Sequence, residues 1–196
     1  MIEFNVALQP ADPFSDMNAV DAKTPVFRRG EIVTLVISGT LKPGFHTYPM
    51  TERSSDPDQP ESGLSQLRFA KELNGLQPLW PIQESPPPQF VKDKRPPYSV
   101  LLEYEHSFQW SQELLVLPDA KPGDHTLSFT IKLQVCDENQ CVPGVHHFEV
   151  PFTTANTAPL PLSAEIQKRR QAKQPPILVR QVAKELANGR RQPAGG

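Results

Sequence analysis

Apolar and polar residues alternate at the start of the chain. Ile2, Phe4, Val6 and Leu8 fall on one parity, and Glu3, Asn5 and Ala7 on the other. A period of two places each set on one face of a strand, so this stretch predicts a half-buried β-strand. A polar, Pro-bearing loop follows to Pro25. Glu31 to Ser38 is rich in Val and Ile on both parities, as expected of a central strand covered on both faces. Lys42-Pro43-Gly44 is a turn signal, and Phe45 to Tyr48 predicts a short strand after it. Residues 51–63, with Ser54, Ser55, Asp56, Pro57, Asp58, Pro60 and Gly63, predict an exposed loop in which Asp56 and Asp58 are solvated. Leu67 and Phe69 alternate with Gln66 and Arg68 and suggest a strand, although Leu64, Leu67, Lys71 and Leu73 also suit a helix. Residues 76–98 hold Pro78, Pro81, Pro86, Pro87, Pro88, Pro96 and Pro97, a density that predicts an irregular cover over one end of the sheet. Val100 to Tyr104, Glu113 to Leu117, Leu127 to Val135 and Val145 to Phe152 complete the strands, with Pro122-Gly123-Asp124 as a turn. About eight short strands without alternating helices predict an all-β, antiparallel β-sandwich.

The character changes after Pro161. Residues 1–155 form the expected domain, and 156–196 a basic linker or tail. Within that tail Pro175-Pro176 precedes Leu178, Val179, Val182 and Leu186, which share one face of a short amphipathic helix predicted over 177–187 and ended by Asn188-Gly189. Charge follows the same division. Residues 164–196 hold eight basic and two acidic side chains, +6, which leaves the rest of the chain at −8 for a total of −2. An acidic body disfavours nucleic-acid binding, and no nucleic-acid partner is expected. The 196 residues include 23 prolines, which argues against a helical bundle and suits a turn-rich β chain. No stretch approaches the ~20 apolar residues of a membrane-spanning helix. Met1-Ile2-Glu3-Phe4-Asn5 shows neither a basic nor an apolar leader region, so no signal peptide is visible.

Chemistry concentrates at Cys136 and Cys141, the two cysteines of the chain, in Val135-Cys136-Asp137-Glu138-Asn139-Gln140-Cys141-Val142-Pro143. Both flanks predict strands, so the four residues between them read as a hairpin loop that sets the cysteines opposite each other. Cross-strand Cα separations of ~4.5–5.5 Å allow a disulfide across the hairpin mouth. Leu127, Phe129, Ile131, Leu133 and Val135 are apolar at odd positions, which places Cys136 on the polar parity. Phe148, Val150 and Phe152 are even, which places Cys141 on the polar parity too, provided no bulge at Pro143-Gly144 flips the register. Both sulfurs are therefore expected away from the core. A staple across so short a loop contributes only ~2 kcal/mol. Redox exchange and plain stapling remain equally open from spacing alone. A zinc site built from Cys136, Cys141, His146 and His147 is disfavoured, because adjacent strand residues point to opposite faces. No metal or cofactor is expected. Trp80 and Trp110 read as packing residues, and His106 and His125 as surface or hairpin residues. No Gly-x-Ser-x-Gly or phosphate-loop motif occurs, so a hydrolase or nucleotide enzyme is not indicated.

Two segments together resemble a known family. Phe129 to Pro143 looks like the cysteine hairpin of the N-terminal domain of DsbD, the thiol:disulfide interchange protein, and Leu41-Lys42-Pro43-Gly44-Phe45-His46-Thr47-Tyr48-Pro49 looks like that family's Gly-aromatic-His-x-Tyr strand. The order also matches: this strand, a Pro-rich stretch, Tyr104-Glu105 opening a strand, then the hairpin. The resemblance covers roughly residues 2–153. It implies an immunoglobulin-like sandwich in the periplasm or another oxidising extracytoplasmic compartment. It implies that Cys136 and Cys141 cycle between dithiol and disulfide, relaying electrons from a thioredoxin-like protein or domain to oxidised substrate proteins. Cys141 would form the mixed disulfide. His46 and Tyr48 match part of the aromatic shield over the pair, and Phe90 and the Tyr104 to Phe108 segment are candidates for its cap. The family's membrane electron carrier and thioredoxin-like domain have no counterpart in this sequence, so a reductant, with a membrane carrier acting in trans, is expected from another protein. The alternative is a non-catalytic β-sandwich binding module with a structural disulfide.

Overall fold

The computed structural model describes residues 1–11, 24–92 and 99–182. Its strands are β1 (Ile2–Pro10), β2 (Val26–Phe27), β3 (Ile32–Leu41), β4 (His46–Thr47), β5 (Glu52–Ser54), β6 (Gln66–Phe69) and β7 (Leu76–Ser85). They continue with β8 (Gln89–Lys92), β9 (Val100–Glu103), β10 (Ser107–Val116), β11 (Gly123–Cys136), β12 (Cys141–Thr154) and β13 (Leu178–Arg180). Among the described residues a 3-10 turn covers Glu61–Gly63, and one α-helix, α1 (Ala164–Arg169), precedes β13.

Two sheets face each other, one ordered β1-β3-β10-β7 and the other β2-β12-β11-β4, with β6 also on β11. Pairing is antiparallel except for β2 with β12 and β13 with β5. This is the expected all-β, immunoglobulin-like antiparallel sandwich. The alternating residues meet between the sheets. Leu35, Ile37, Trp110 and Leu114 from the first sheet and Leu127, Ile131 and Phe152 from the second are fully buried. Phe4 packs its ring edge-on against Phe148 across the gap, 5.6 Å between centroids. Gly39 has a packing reason: a Cβ there would collide with the Phe108 ring.

The Pro-rich stretch departs from expectation. Residues 76–85 form a ten-residue strand, β7, and 89–92 form β8. The reason is position. β7 is the outer strand of its sheet, and an edge strand tolerates Pro where the missing N–H faces outwards. Its register against β10 shifts between Ser111 and Glu113, and Pro81 lies within that irregular segment, where the ladder needs no N–H.

The loop over 51–63 also differs. Ser54, Asp56 and Gln59 are buried, so Asp56 is not solvated. Gln59 acts like a strand neighbour, its amide donating to Leu102 O (2.7 Å) and its carbonyl accepting from Leu102 N–H (3.0 Å). Asp56 Oδ2 accepts from Val100 N–H at 2.9 Å, and Ser54 Oγ donates to Val100 O at 2.5 Å. Side chains here satisfy a backbone edge that would otherwise be orphaned.

The tail differs as well. Its helix is Ala164–Arg169, capped by the Ser163 side chain accepting from Ile166 N–H. Leu178–Arg180, placed in the expected 177–187 helix, is instead a strand parallel to β5. The edge of β5 offers backbone partners, and β-branched and aliphatic residues after two prolines take them. Residues 183–187 of that expected helix lie outside the described residues. No helix among the described residues is long and apolar enough to cross a membrane.

Candidate functional site: the cysteine hairpin and its cover

β11 and β12 pair without a slip from Gly123 opposite Thr154 to Cys136 opposite Cys141. Pro143-Gly144 introduces no bulge, so the inward parity of Phe148, Val150 and Phe152 runs unbroken to the hairpin and leaves Cys141 on the outward one. Asp137 closes the turn: its N–H donates to Gln140 O (2.9 Å), and its Oδ1 accepts from the N–H groups of Asn139 (2.7 Å) and Gln140 (3.0 Å). An Asp that binds its own following backbone rigidifies a tight turn. The cysteines directly behind it form a disulfide with Cα atoms 3.9 Å apart.

The two sulfurs have unlike surroundings. Both cysteines sit on the polar parity, away from the main core, but only Cys141 is exposed. Cys136 is 1% exposed, in a second, smaller cluster with Tyr48 and Leu64, against which Leu101 and Ile177 also pack. The expectation that both sulfurs face solvent is thus corrected for Cys136. Strand parity decides which face a residue takes, not what lies on that face. Here residues from the β4–β5 connection, the loop after β5, β9 and the C-terminal segment form an extra layer over the outer face of β11.

β4 is short and held firmly. Its residues pair with the end of β11, Thr47 opposite Val135 and His46 opposite Cys136. Thr47 Oγ1 donates to Gln134 O at 2.8 Å, and Thr47 and Tyr104 exchange backbone hydrogen bonds of 3.0 and 2.9 Å. Side chains directly opposite in a ladder share a face, so His46 stands beside Cys136. Its Nε2 lies 3.7 Å from Glu103 Oε1, a buried carboxylate on β9. Its ring meets Tyr48 edge-on at 5.9 Å. Tyr48 is 8% exposed, and its hydroxyl lies 3.7 Å from Cys136 Sγ.

Tyr104 and Phe90 lie elsewhere. The Tyr104 ring belongs to the main core, stacked on Phe108 at 4.9 Å, and its hydroxyl donates to Glu84 Oε2 at 2.9 Å. Burial, and then the Glu84 carboxylate, push that hydroxyl far above the ordinary phenol range. Its bearing on the cysteines is through its backbone, which pins β4. Phe90 is half-buried on β8 beneath the Arg180 guanidinium, 4.9 Å from ring centroid to Cζ, and is not a member of the Cys136 cluster. Sequence reasoning missed Glu103, Leu64, Leu101 and Ile177. Glu103 sits on the opposite parity from Leu102 and Tyr104, the one signal that could have placed it on the cysteine side. The other three reach the site only through the chain's path. His146 and His147 face opposite ways, His146 against Phe4 at 5.2 Å, and no metal-ligand cluster occurs among the described residues.

Such a pair can do one thing readily. An exposed sulfur joined to a covered one gives an incoming thiolate a single accessible point of attack, with the covered sulfur as leaving group.

No family model matches the chain, and no curated protein matches it. Solved structures of similar architecture include the N-terminal periplasmic domain of ScsB from Proteus mirabilis, at 13% identity over 63% of this chain and 42% of that one, with a TM-score of 0.40. They include the N-terminal domain of DsbD from Neisseria meningitidis in its reduced form, at 14% identity over 61% and 77%, TM-score 0.38. They also include AggA, the major subunit of an Escherichia coli aggregative adherence fimbria, at 10% identity over 79% and 96%, TM-score 0.37. The chain thus spans less than half of the ScsB chain it is similar to. A DsbD N-terminal domain and a fimbrial subunit thus both stand among the solved structures to which the chain is similar.

Proposed function

We propose that this chain is a thiol:disulfide exchange domain in which Cys136 and Cys141 alternate between disulfide and dithiol. The observation that carries the reading is the asymmetry of the pair: Cys141 is exposed at the end of a hairpin while Cys136 is covered by Tyr48 and Leu64. A thiolate of a thioredoxin-like partner attacks Cys141 Sγ and forms a mixed disulfide, and the second thiol of that partner resolves it. The reduced domain then passes its electrons to oxidised proteins of an extracytoplasmic, oxidising compartment, and a membrane carrier in trans can serve as the upstream source. The acidic tip, Asp137 and Glu138, disfavours a thiolate beside it, which suits a pair that accepts attack more than one that initiates it. His46 and Tyr48 cover the buried sulfur, and Phe90 and Tyr104 support the cover from a distance.

Redox equilibration with a thiol buffer tests this. A reduction potential above about −300 mV is expected, because structural bridges in secreted proteins fall below that value. In a Cys136→Ala variant whose Cys141 is first converted to a mixed disulfide with thionitrobenzoate, the thiolate of a thioredoxin-like protein lacking its resolving cysteine should displace thionitrobenzoate and form a covalent adduct, read by mass spectrometry. The Cys141→Ala variant should form little, since Cys136 is covered. A potential below about −300 mV with no adduct makes the bridge a staple, and the domain a binding module.

A further inference from the structure

The cover over Cys136 does more than exclude water. At 1% exposure Cys136 Sγ has the Tyr48 hydroxyl 3.7 Å away. A disulfide sulfur carries no proton, so the hydroxyl is the donor in this contact. The Tyr48 ring is set by the edge of His46 and by Leu64, and its backbone oxygen accepts from Ser65 Oγ. The hydroxyl is therefore held at the sulfur before any partner arrives.

We propose that Tyr48 is a catalytic residue of the exchange, donating its hydroxyl hydrogen bond to Cys136 Sγ as that sulfur leaves. The proposal rests on the exchange reading above. A partner thiolate attacks Cys141 Sγ, the bond to Cys136 breaks as the new S–S bond forms, and Cys136 takes the bonding pair as a thiolate. The second partner thiolate then attacks the partner's sulfur in the mixed disulfide, and Cys141 leaves as a thiolate. The two protons released by the partner dithiol reach the two cysteines through solvent. The partner dithiol is oxidised by two electrons and the domain is reduced by two.

The difficult moment is the first departure. A thiolate at a covered position is disfavoured by desolvation, and exchange slows as the leaving thiol becomes less acidic. A hydroxyl donor bonds an anionic sulfur more strongly than a neutral disulfide sulfur. The interaction therefore grows towards the transition state, which is the condition for it to accelerate the step. His46, edge-on to Tyr48 and 3.7 Å from Glu103 Oε1, and Asp137 and Glu138, which follow Cys136 in the chain, are charged or titratable neighbours of this site, and the test leaves all of them in place.

A shield needs only the ring, whereas a donor needs the oxygen, so Tyr48→Phe separates them. The probe is dithiothreitol acting on the full chain, with reduction followed by mass spectrometry of alkylated thiols. Reduction of Tyr48→Phe is expected to be about tenfold slower than wild type, the size of one hydrogen bond to a charged group. In the reduced protein the Cys136 thiol of the variant should ionise about one pH unit higher, read by thiolate absorbance. Reduction at the wild-type rate or faster, with the thiol titration unmoved, overturns the proposal and leaves Tyr48 a cover. Should Tyr48→Phe fail to fold, difluorotyrosine at position 48 keeps ring and oxygen and strengthens the donor. Faster reduction is then expected, and an unchanged rate overturns the role. A wild-type disulfide that resists dithiothreitol altogether removes the exchange reading and this role with it; a reducible wild type with an unaffected variant removes only this role.

Discussion

Glu84 gathers five donors on one carboxylate. Met50 N–H at 3.1 Å, Thr51 N–H at 2.7 Å, Thr51 Oγ1 at 2.5 Å, Tyr104 Oη at 2.9 Å and Trp110 Nε1 at 2.9 Å all point at it. These donors come from the segment after Tyr48, from the residue that pins β4, and from the centre of β10. One side chain thus ties the cover of Cys136 to the main core. Ionised, the carboxylate is acceptor-only, which matches a site where every neighbour donates. Glu84→Gln keeps the size but turns an NH2 group towards converging donors, leaving buried donors unpaired. Urea unfolding should show a loss of about 3 kcal/mol, since hydrogen bonds to charged groups and unsatisfied buried donors each carry 1–3 kcal/mol. A loss below about 0.5 kcal/mol would mean that the donors find other partners.

At the scale of elements, legibility tracks how local the determining physics is. β1, β11 and β12 were readable because alternation is a property of consecutive residues, and β3 because its Val- and Ile-rich run is equally local; Leu127 to Val135 is buried at each odd position as its pattern requires. β7 was not, because whether Pro78 and Pro81 break a strand depends on whether the strand lies at an edge, and edge position is set by the whole sheet. The cysteine pair and the His46–Tyr48 strand were legible by motif, whereas Leu101 and Ile177 reach the site from β9 and the C-terminal segment by tertiary path alone. That C-terminal segment carries its own test. Leu178 N–H bonds Thr51 O at 2.8 Å and Ser55 N–H bonds Arg180 O at 2.9 Å. Arg180 reaches Glu52 at 3.1 Å and Pro88 O at 3.0 Å and lies over Phe90. The group is partly exposed, so its ion pair is screened, and Arg180→Ala should cost only about 1 kcal/mol. Its effect should be local. Hydrogen exchange at Leu178, Ser55 and Val182 should quicken while amides of β11 and β12 keep their protection. Unchanged exchange at those three would show that Ile177 and the backbone bonds hold the segment without Arg180.

Over the whole molecule, the disulfide and the core occupy separate places. The main cluster runs between the two sheets through Leu35, Trp110, Leu127, Ile131 and Phe152, and Cys136 belongs to the smaller cluster on the outer face of β11. An exchange domain must remain folded in both redox states, since the reduced form is the one that passes electrons on. A bridge closing so short a loop removes little entropy from the unfolded chain, about 2 kcal/mol in the entropic account, and the sandwich, whose strands run from Ile2 to Thr154, is large enough to stand on its core. Denaturant unfolding with and without reductant should therefore differ by about 2 kcal/mol with an unchanged slope. Amides from Leu127 to Val135 should stay protected in the reduced protein. Loosening should concentrate at Cys136, Tyr48 and the hairpin tip, where the covering layer loses its covalent anchor. If reduction unfolded the sheet that β11 and β12 build, the bridge would be holding the fold together, and a cycle between the two states could not operate on this scaffold.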